Sequence, residues 1–202
     1  MRHRIKAIIF DWGGVLIDNP VEAMVSFFVK KLGVEPDTLR QVYQTYMDDH
    51  MCGRIGEQEL WRRMGLELKI TIAQESPSLW QQAVMHAFKT KQTVLKLAQD
   101  YKDKGYKIAL LSNTEPGAVN YYRQQVNFPM MDATVFSCEV GIAKPDTGIY
   151  TVALDRLAVM ADEAVFIDDR IEFVRAAEKL GMHAIQFIDV HDLQIKLSLL
   201  TK

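Results

Sequence analysis

Short apolar runs alternate with longer amphipathic segments along most of this 202-residue chain. Strands that are covered on both faces of a parallel sheet are near-continuously apolar; the run at 7–10 has this character, and four later short runs are further strand candidates. These five predicted strands lie at 7–10, 107–111, 134–136, 164–167 and 183–187. Apolar residues at three- and four-residue spacing predict helices after the second to fifth runs. These predicted helices lie at 118–125, 145–157, 171–180 and 191–200.

Roughly 95 residues of mostly helical pattern separate the first strand from the second, which is too many for a simple crossover. Proline near a helix start and glycine after its end delimit a helix at 21–32. Further helices are predicted at 36–47, 57–64, 78–89 and 93–104. We therefore predict an α/β fold with a Rossmann-like parallel sheet, helices on both faces and an all-helical cap inserted after the first strand. The predicted core is 1–17 and 93–202, and the predicted cap is 18–92.

Composition narrows the class of protein without indicating a reaction. Apolar residues make up 49% and the formal net charge is -2, which is typical of a globular domain and argues against a nucleic-acid-binding surface. Signal peptides and membrane helices need longer apolar stretches than this chain offers. Cys52 and Cys138 lack the spacing of a zinc site. We predict a cytoplasmic protein with no nucleic-acid or membrane partner, either a monomer or a weak homodimer.

Acidic residues follow two of the predicted strands at the sheet edge where ligands bind in open α/β folds. Asp11 follows the first strand, and the pair Asp168 and Asp169 follows the fourth. Three converging carboxylates repel one another unless a hard cation lies among them. Mg²⁺ prefers oxygen ligands and is commonly held by one or two carboxylates together with phosphate oxygens. The pattern therefore predicts a Mg²⁺ site.

Groups suited to a phosphoryl ligand follow two further strands at the same edge. Ser112 and Asn113 follow the second strand, and Lys144 lies in the loop after the third. A hydroxyl, an amide and an ammonium can hold a phosphoryl group and neutralise its oxygens. In-line attack by the carboxylate of Asp11 would then give an aspartyl-phosphate that water hydrolyses.

Four segments of the chain resemble, in order, the four motifs of the haloacid dehalogenase-like (HAD) superfamily. They are IIFDWGGVL at 8–16, LLSNT at 110–114, KPD at 144–146 and FIDD at 166–169. Residues 53–60 are similar to a cap segment of its phosphatase branches, and the branch nearest to this chain is that of small α-glucose-1-phosphate phosphatase-like proteins. The resemblance spans essentially the whole chain and implies a Mg²⁺-dependent phosphatase for a small phosphorylated metabolite, sugar phosphates included.

The resemblance also implies which residues hold the metal. Asp11 would be both the catalytic nucleophile and a metal ligand, and Gly13 would offer its backbone carbonyl. Asp169 would be the most direct remaining ligand, with Asp168 beside it.

The implied contacts to the substrate come from the second and third motifs. Ser112 and Asn113 would bind the phosphate. Lys144 would contact both the phosphate and Asp11, so it would serve in substrate binding and in catalysis.

Two positions depart from the pattern of the superfamily. Its phosphatases usually carry an acid/base aspartate where this chain has Gly13, and positioned proton transfer typically contributes about 10²–10⁴-fold. Phe173 stands where many relatives have Asn or Asp. Both departures favour a catalytically silent, phosphate-binding or regulatory protein as the alternative. A 2-haloacid dehalogenase is a further alternative, although the acidic pair in the fourth motif argues against it.

Overall fold

The computed structural model describes residues 4–73 and 77–201. Its five strands form one sheet in the order β3-β2-β1-β4-β5, and all four pairings are parallel. The strands are β1 Ala7–Phe10, β2 Lys107–Ser112, β3 Ala133–Phe136, β4 Ala164–Asp168 and β5 His183–Gln186. The central strand β1 is buried along its whole length, as its uninterrupted apolar sequence predicts. The predicted α/β class is confirmed.

Helices account for most of the remaining described residues, and they cover both faces of the sheet. They are α1 Val21–Leu32, α2 Pro36–Met51, α3 Glu57–Leu68, α4 Leu79–Ala87, α5 Gln92–Asp103, α6 Pro116–Tyr121, α7 Ser137–Val140, α8 Thr147–Leu157, α9 Ile171–Lys179 and α10 Val190–Leu200. A π-helical turn at Tyr122–Val126 and a 3₁₀ turn at Ala161–Glu163 complete the set. Within the described residues, none of the helices combines the length and the apolar character needed to cross a bilayer.

The two faces of the sheet bury separate clusters, because successive side chains of a strand point to opposite sides. Ile8 and Phe10 belong to the cluster that includes residues of α5 and α10 together with α1 to α4. Ala7 and Ile9 belong to the cluster formed with α8 and α9. The inserted helices therefore lie against one side of the core.

The chain leaves the core after β1 and returns to it before α5 along two adjacent backbone segments. The N–H of Asp18 donates to the carbonyl of Lys89 at 2.8 Å, and that of Lys91 donates to the carbonyl of Leu16 at 2.9 Å. Ile17 and Thr90 form an antiparallel bridge between these two bonds. The division into a core and a cap, with its boundaries, stays a prediction; residues 1–3, 74–76 and 202 of the predicted ranges lie outside the described residues.

Several helix ends differ from the sequence prediction. The second helix runs to Met51 rather than to residue 47, because the polar residue His50 in its last turn is fully buried against Trp80. The helix predicted from residue 145 starts at Thr147, since the carboxylate of Asp146 caps it by accepting from the N–H of Gly148. Helix α7 was not predicted, because four residues are too few to show a periodicity.

Candidate active site

Strand order alone brings three of the predicted site segments together. β1 lies between β2 and β4, so Ser112 at the end of β2 and Asp168 at the end of β4 flank Asp11, which follows β1. The N–H of Asp11 donates to the carbonyl of Ile167 at 2.8 Å, which fixes the first carboxylate beside the fourth motif. Asp11, Asp168 and Ser112 are all buried.

Lys144 joins the two buried carboxylates. Its Nζ lies 2.6 Å from Oδ1 of Asp11 and 2.6 Å from Oδ2 of Asp168, and its side chain is 1% exposed. The backbone of Lys144 is held in turn by the side chain of Asn113. Oδ1 of Asn113 accepts from the Lys144 N–H at 2.7 Å, and Nδ2 donates to the Lys144 carbonyl at 2.8 Å. Asn113 thus positions the lysine from a neighbouring strand end.

The acidic residues form a cluster that suits a divalent cation. Asp11, Asp168 and Asp169 each offer a carboxylate oxygen, and these three atoms lie within 4.8 Å of one another. Three carboxylates and one ammonium carry a formal charge of -2, which a divalent cation would balance. Oxygen donors of this kind are the ligands that Mg²⁺ prefers. The donor set and its charge therefore both fit Mg²⁺.

Burial and neighbouring charges together shift the pKa values of Asp11, Asp169 and Lys144. Burial raises the pKa of Asp11, while the ammonium of Lys144 lowers it and the charge of Asp168 raises it. Burial and then Asp168 raise the pKa of Asp169 as well. Burial lowers the pKa of Lys144, yet Asp11 and Asp168 more than reverse this, and the net direction is upward. The lysine is held in its charged form by the two carboxylates it contacts.

Gly14 makes room for the third carboxylate. Its φ of +89° lies in a region that side chains disfavour, and a Cβ there would lie 2.2 Å from Oδ2 of Asp169. Lys91 fixes the same turn, because its Nζ donates to the Gly14 carbonyl at 2.5 Å. A glycine is therefore required for the turn to pack against Asp169.

The other predicted site residues line a cavity that adjoins the acidic cluster. Gly13 and Ser112 line it together with Asp11 and Lys144. The Ser112 hydroxyl makes a long contact of 3.5 Å to the Asn113 carbonyl, which leaves the hydroxyl able to donate to a ligand. The metal-binding role of Gly13 and the phosphate-binding roles of Ser112 and Asn113 stay predictions.

Phe173 contributes an aromatic ring where the resemblance suggests a polar side chain. The Nζ of Lys144 lies 4.9 Å from the centre of this ring, and Cζ of Arg170 lies 4.3 Å from it. A cation over an aromatic face is attracted by the ring. Phe173 therefore contacts two cations at a position where the resemblance suggests a polar side chain.

The site opens into a cavity of about 610 Å³ between the core and helices α1 to α4. Glu115, which immediately precedes α6, lines this cavity and is 4% exposed. Its carboxylate accepts a hydrogen bond from the indole N–H of Trp80 in α4. Sequence reasoning missed both residues. Glu115 directly follows the second motif and was open to recognition as a strand-end polar residue, whereas the helical pattern does not show that Trp80 faces the core.

Replacing Glu115 with Gln is expected to change how stability depends on pH. Burial raises the pKa of Glu115 from 4.5 to about 7 in the folded chain. The folded chain then binds more protons than the unfolded chain between these values, so stability falls as the pH rises from 4.5 to 7. Because one pKa unit corresponds to about 1.4 kcal/mol, the Gln variant should gain on the order of 3 kcal/mol relative to the unchanged chain across this window.

Urea unfolding of both chains at several pH values measures this difference. The matched control is Glu178→Gln, since Glu178 is exposed on α9, and it should leave the pH profile unchanged. Parallel profiles for the unchanged chain and Glu115→Gln would show that Glu115 is not held protonated.

The chain belongs to the haloacid dehalogenase-like hydrolase family, whose model matches residues 5–181. A sesquiterpene phosphatase of Aspergillus oryzae is 28% identical to it over 91% of this chain and 90% of that protein. A D-ribitol-5-phosphate phosphatase of Bacteroides thetaiotaomicron is 26% identical over 90% of this chain and 91% of its own length. The predicted family and the class of hydrolase are confirmed.

Other relatives are much longer than this chain. It is 29% identical to acyl-CoA dehydrogenase family member 10 of mouse over 90% of its own residues, but spans only 18% of that protein. Among solved structures, a HAD family enzyme from Bacteroides thetaiotaomicron has a TM-score of 0.78 at 20% identity, covering 91% of this chain and 93% of the other. That enzyme has also been solved with magnesium and inorganic phosphate. A dehalogenase structure has a TM-score of 0.66 at 19% identity, covering 98% of each chain.

Proposed function

We propose that this chain is a Mg²⁺-dependent phosphatase in which Asp11 attacks the phosphorus of a small phosphorylated metabolite and forms an aspartyl-phosphate. The observation that carries the proposal is the buried cluster of Asp11, Asp168, Asp169 and Lys144, whose formal charge of -2 suits a divalent cation. Asp11, Asp169 and Lys144 of this cluster line a cavity large enough for a small-molecule ligand.

In this proposal Asp11, Asp168, Asp169 and the carbonyl of Gly13 would hold Mg²⁺, which would supply charge neutralisation at the phosphate oxygens. Lys144 bonds Oδ1 of Asp11, so Oδ2 is the oxygen that attacks phosphorus. The same ammonium orients Asp11 and offsets the charge that develops on the transferring phosphoryl group.

Ser112 and Asn113 act on the phosphate from the neighbouring strand end. The hydroxyl of Ser112 donates to a phosphate oxygen. The amide of Asn113 keeps one N–H for the phosphate while its other contacts hold the backbone of Lys144.

The leaving alcohol receives no proton from residue 13, because Gly13 has no side chain. General acid catalysis matters most for alcohols that leave poorly, where it contributes about 10²–10⁴-fold. Aryl phosphates, whose phenolate leaves without a proton, are therefore the most suitable general substrates for a first assay.

The phosphatase relatives support the class of reaction and not one substrate. By their names they act on a sesquiterpene and on D-ribitol 5-phosphate, which share a phosphate ester and little else. The proposal for this chain is accordingly a phosphate monoester hydrolase.

Two alternatives have specific observations in their favour. Gly13 and Phe173 favour a phosphate-binding protein without turnover. The fold that the chain shares with a dehalogenase is compatible with attack of Asp11 on carbon. The buried pair Asp168 and Asp169 weighs against that second alternative, because attack on carbon needs no metal.

The deciding experiment is release of phosphate from p-nitrophenyl phosphate with Mg²⁺, with excess EDTA, and after Mg²⁺ is restored. The proposal predicts turnover that disappears on chelation and returns with the metal. Chloride release from a 2-chloroacid that persists in EDTA would support a dehalogenase instead. Tight binding of inorganic phosphate without turnover on a broad panel of phosphate esters would support a silent binding protein.

A further inference from the structure

The cavity beside the proposed catalytic cluster is walled by apolar side chains on its cap side. Met24 and Phe28 of α1, Trp61 and Met64 of α3 and Trp80 of α4 are all buried and line it. The rings of Phe28 and Trp61 lie 5.1 Å apart, and those of Phe28 and Trp80 also lie 5.1 Å apart. The wall is thus a continuous surface of aromatic rings and thioether side chains.

Buried polar side chains are confined to the core end of this cavity. Among the described residues, every buried polar side chain that lines it belongs to the core side, namely Asp11, Ser112, Thr114, Glu115 and Lys144. Of the polar residues from α2, Gln44 and Asp48 are exposed. The guanidinium of Arg40 is paired with Glu22 at 2.6 Å. An anionic head is thus accommodated at the core end, and an apolar body at the cap end.

The buried part of the cap wall offers a sugar or polyol few hydrogen-bond partners. Each hydroxyl taken out of water must find a new hydrogen-bond partner, and an unpaired one costs binding free energy. Of the described cap residues that line the cavity, Tyr43 has a buried hydroxyl without a partner. The single hydroxyl of Tyr43 cannot satisfy the four or five hydroxyls of a sugar or polyol. A hydrocarbon has no such requirement.

Resting on the proposed phosphatase function, we propose that the substrate is the monophosphate ester of a lipophilic alcohol, whose hydrocarbon chain fills the space between α1, α3 and α4. The phosphate lies against Lys144 and the acidic cluster, and the chain packs on Phe28, Trp61 and Trp80. The protein then recognises its substrate by burying the hydrocarbon rather than by hydrogen-bonding hydroxyl groups.

A homologous series of n-alkyl phosphates, from ethyl to dodecyl, tests this assignment in the presence of Mg²⁺. Burial of each methylene should raise kcat/KM about fourfold until the cavity is filled. Farnesyl monophosphate should be turned over with the efficiency of the longer alkyl esters, and D-ribitol 5-phosphate and glucose 1-phosphate less well than ethyl phosphate.

Binding of the corresponding n-alkylphosphonates, which cannot be hydrolysed, is measured in parallel by calorimetry. Their Kd should fall about fourfold per methylene, whether or not the protein hydrolyses the corresponding phosphate esters. A flat series, or tighter binding of a polyol phosphate, would overturn the assignment. If ethyl and aryl phosphates are hydrolysed while the series is flat, the phosphatase proposal stands and only the substrate class fails. If nothing is hydrolysed but the phosphonate series is steep, the phosphatase proposal fails and the apolar ligand site stands.

Met24→Gln supplies a variant of similar shape that places an amide in the wall. It should flatten the chain-length dependence of both kcat/KM and Kd, with a much larger loss for dodecyl phosphate and dodecylphosphonate than for the ethyl ligands. Met85→Gln is the matched control, because Met85 is exposed on α4 and outside the cavity, and it should leave the whole series unchanged. An equal loss for ethyl and dodecyl ligands in Met24→Gln would contradict a direct contact with the chain.

Discussion

Asp11→Asn is expected to reduce Mg²⁺-dependent phosphate release by at least about 10⁴-fold, the scale of loss when a nucleophile is removed. An amide has nearly the same shape as a carboxylate but cannot attack phosphorus. The Asn side-chain oxygen can still accept the bond from Lys144, and the backbone bond to Ile167 is untouched. The fold should therefore survive while turnover is lost.

Release of p-nitrophenol, followed by absorbance, measures this effect. Asp18→Asn is the matched control, since Asp18 is exposed and lies outside the cavity, and its activity should equal that of the unchanged chain. Circular dichroism and thermal unfolding confirm that both variants fold. Activity in Asp11→Asn within tenfold of the unchanged chain would eliminate Asp11 as the nucleophile.

Lys144→Met is expected to lower the free energy of unfolding by about 3–5 kcal/mol without Mg²⁺, because breaking a buried ion pair leaves an uncompensated charge. Here two buried carboxylates, Asp11 and Asp168, lose the ammonium that both of them contact. Added Mg²⁺ should restore part of this stability, since a ligand that binds only the folded chain stabilises it. Turnover should fall as well, because phosphate and nucleophile lose the same cation.

Urea unfolding with and without Mg²⁺ measures the loss and the recovery. Lys96→Met is the control, because Lys96 forms an exposed pair with Asp100 on α5, and such pairs contribute about 0–1 kcal/mol. Equal losses in the two variants would show that Lys144 is not essential to the buried cluster. A loss in Lys144→Met that Mg²⁺ deepens would contradict a cation site among the carboxylates.

The sheet and one side of the site were predictable because their signals are local. Four uninterrupted apolar residues at Ala7–Phe10 indicate a strand buried on both faces. Asp11 and Asp168 stand at the ends of such strands, and the carboxyl ends of neighbouring parallel strands meet at one edge. The strand patterns alone thus predict that these acidic residues lie close together.

Contacts between distant segments were not predictable from local pattern. The amide of Asn113 holds the backbone of Lys144, 31 positions away, and nothing in either segment shows that this side chain turns toward a backbone. Glu115 and Trp80 meet across the boundary between the core and the inserted helices. Helical periodicity predicts a helix around Trp80, but neither that its indole faces the core nor which carboxylate lies opposite.

The shape and polarity of the cavity were also not predictable from the sequence. The four motifs contain the residues predicted to bind the metal and the phosphate, but none of the residues of the cap wall. The resemblance implied several substrates, sugar phosphates among them. Phe28, Trp61 and Trp80 come from three different helices, and only their packing makes one apolar wall. The proposed preference for a lipophilic alcohol follows from that packing.

Detection of a phosphoryl group on Asp11 tests the central claim most directly. Excess enzyme with Mg²⁺ is mixed with substrate, quenched in acid within milliseconds, digested and analysed by mass spectrometry. The account predicts one added phosphoryl group on the peptide that contains Asp11, removed by hydroxylamine and absent from Asp11→Asn. Product formation in the same quenched samples with no phosphoryl group on that peptide, or with the group on another residue, would contradict it.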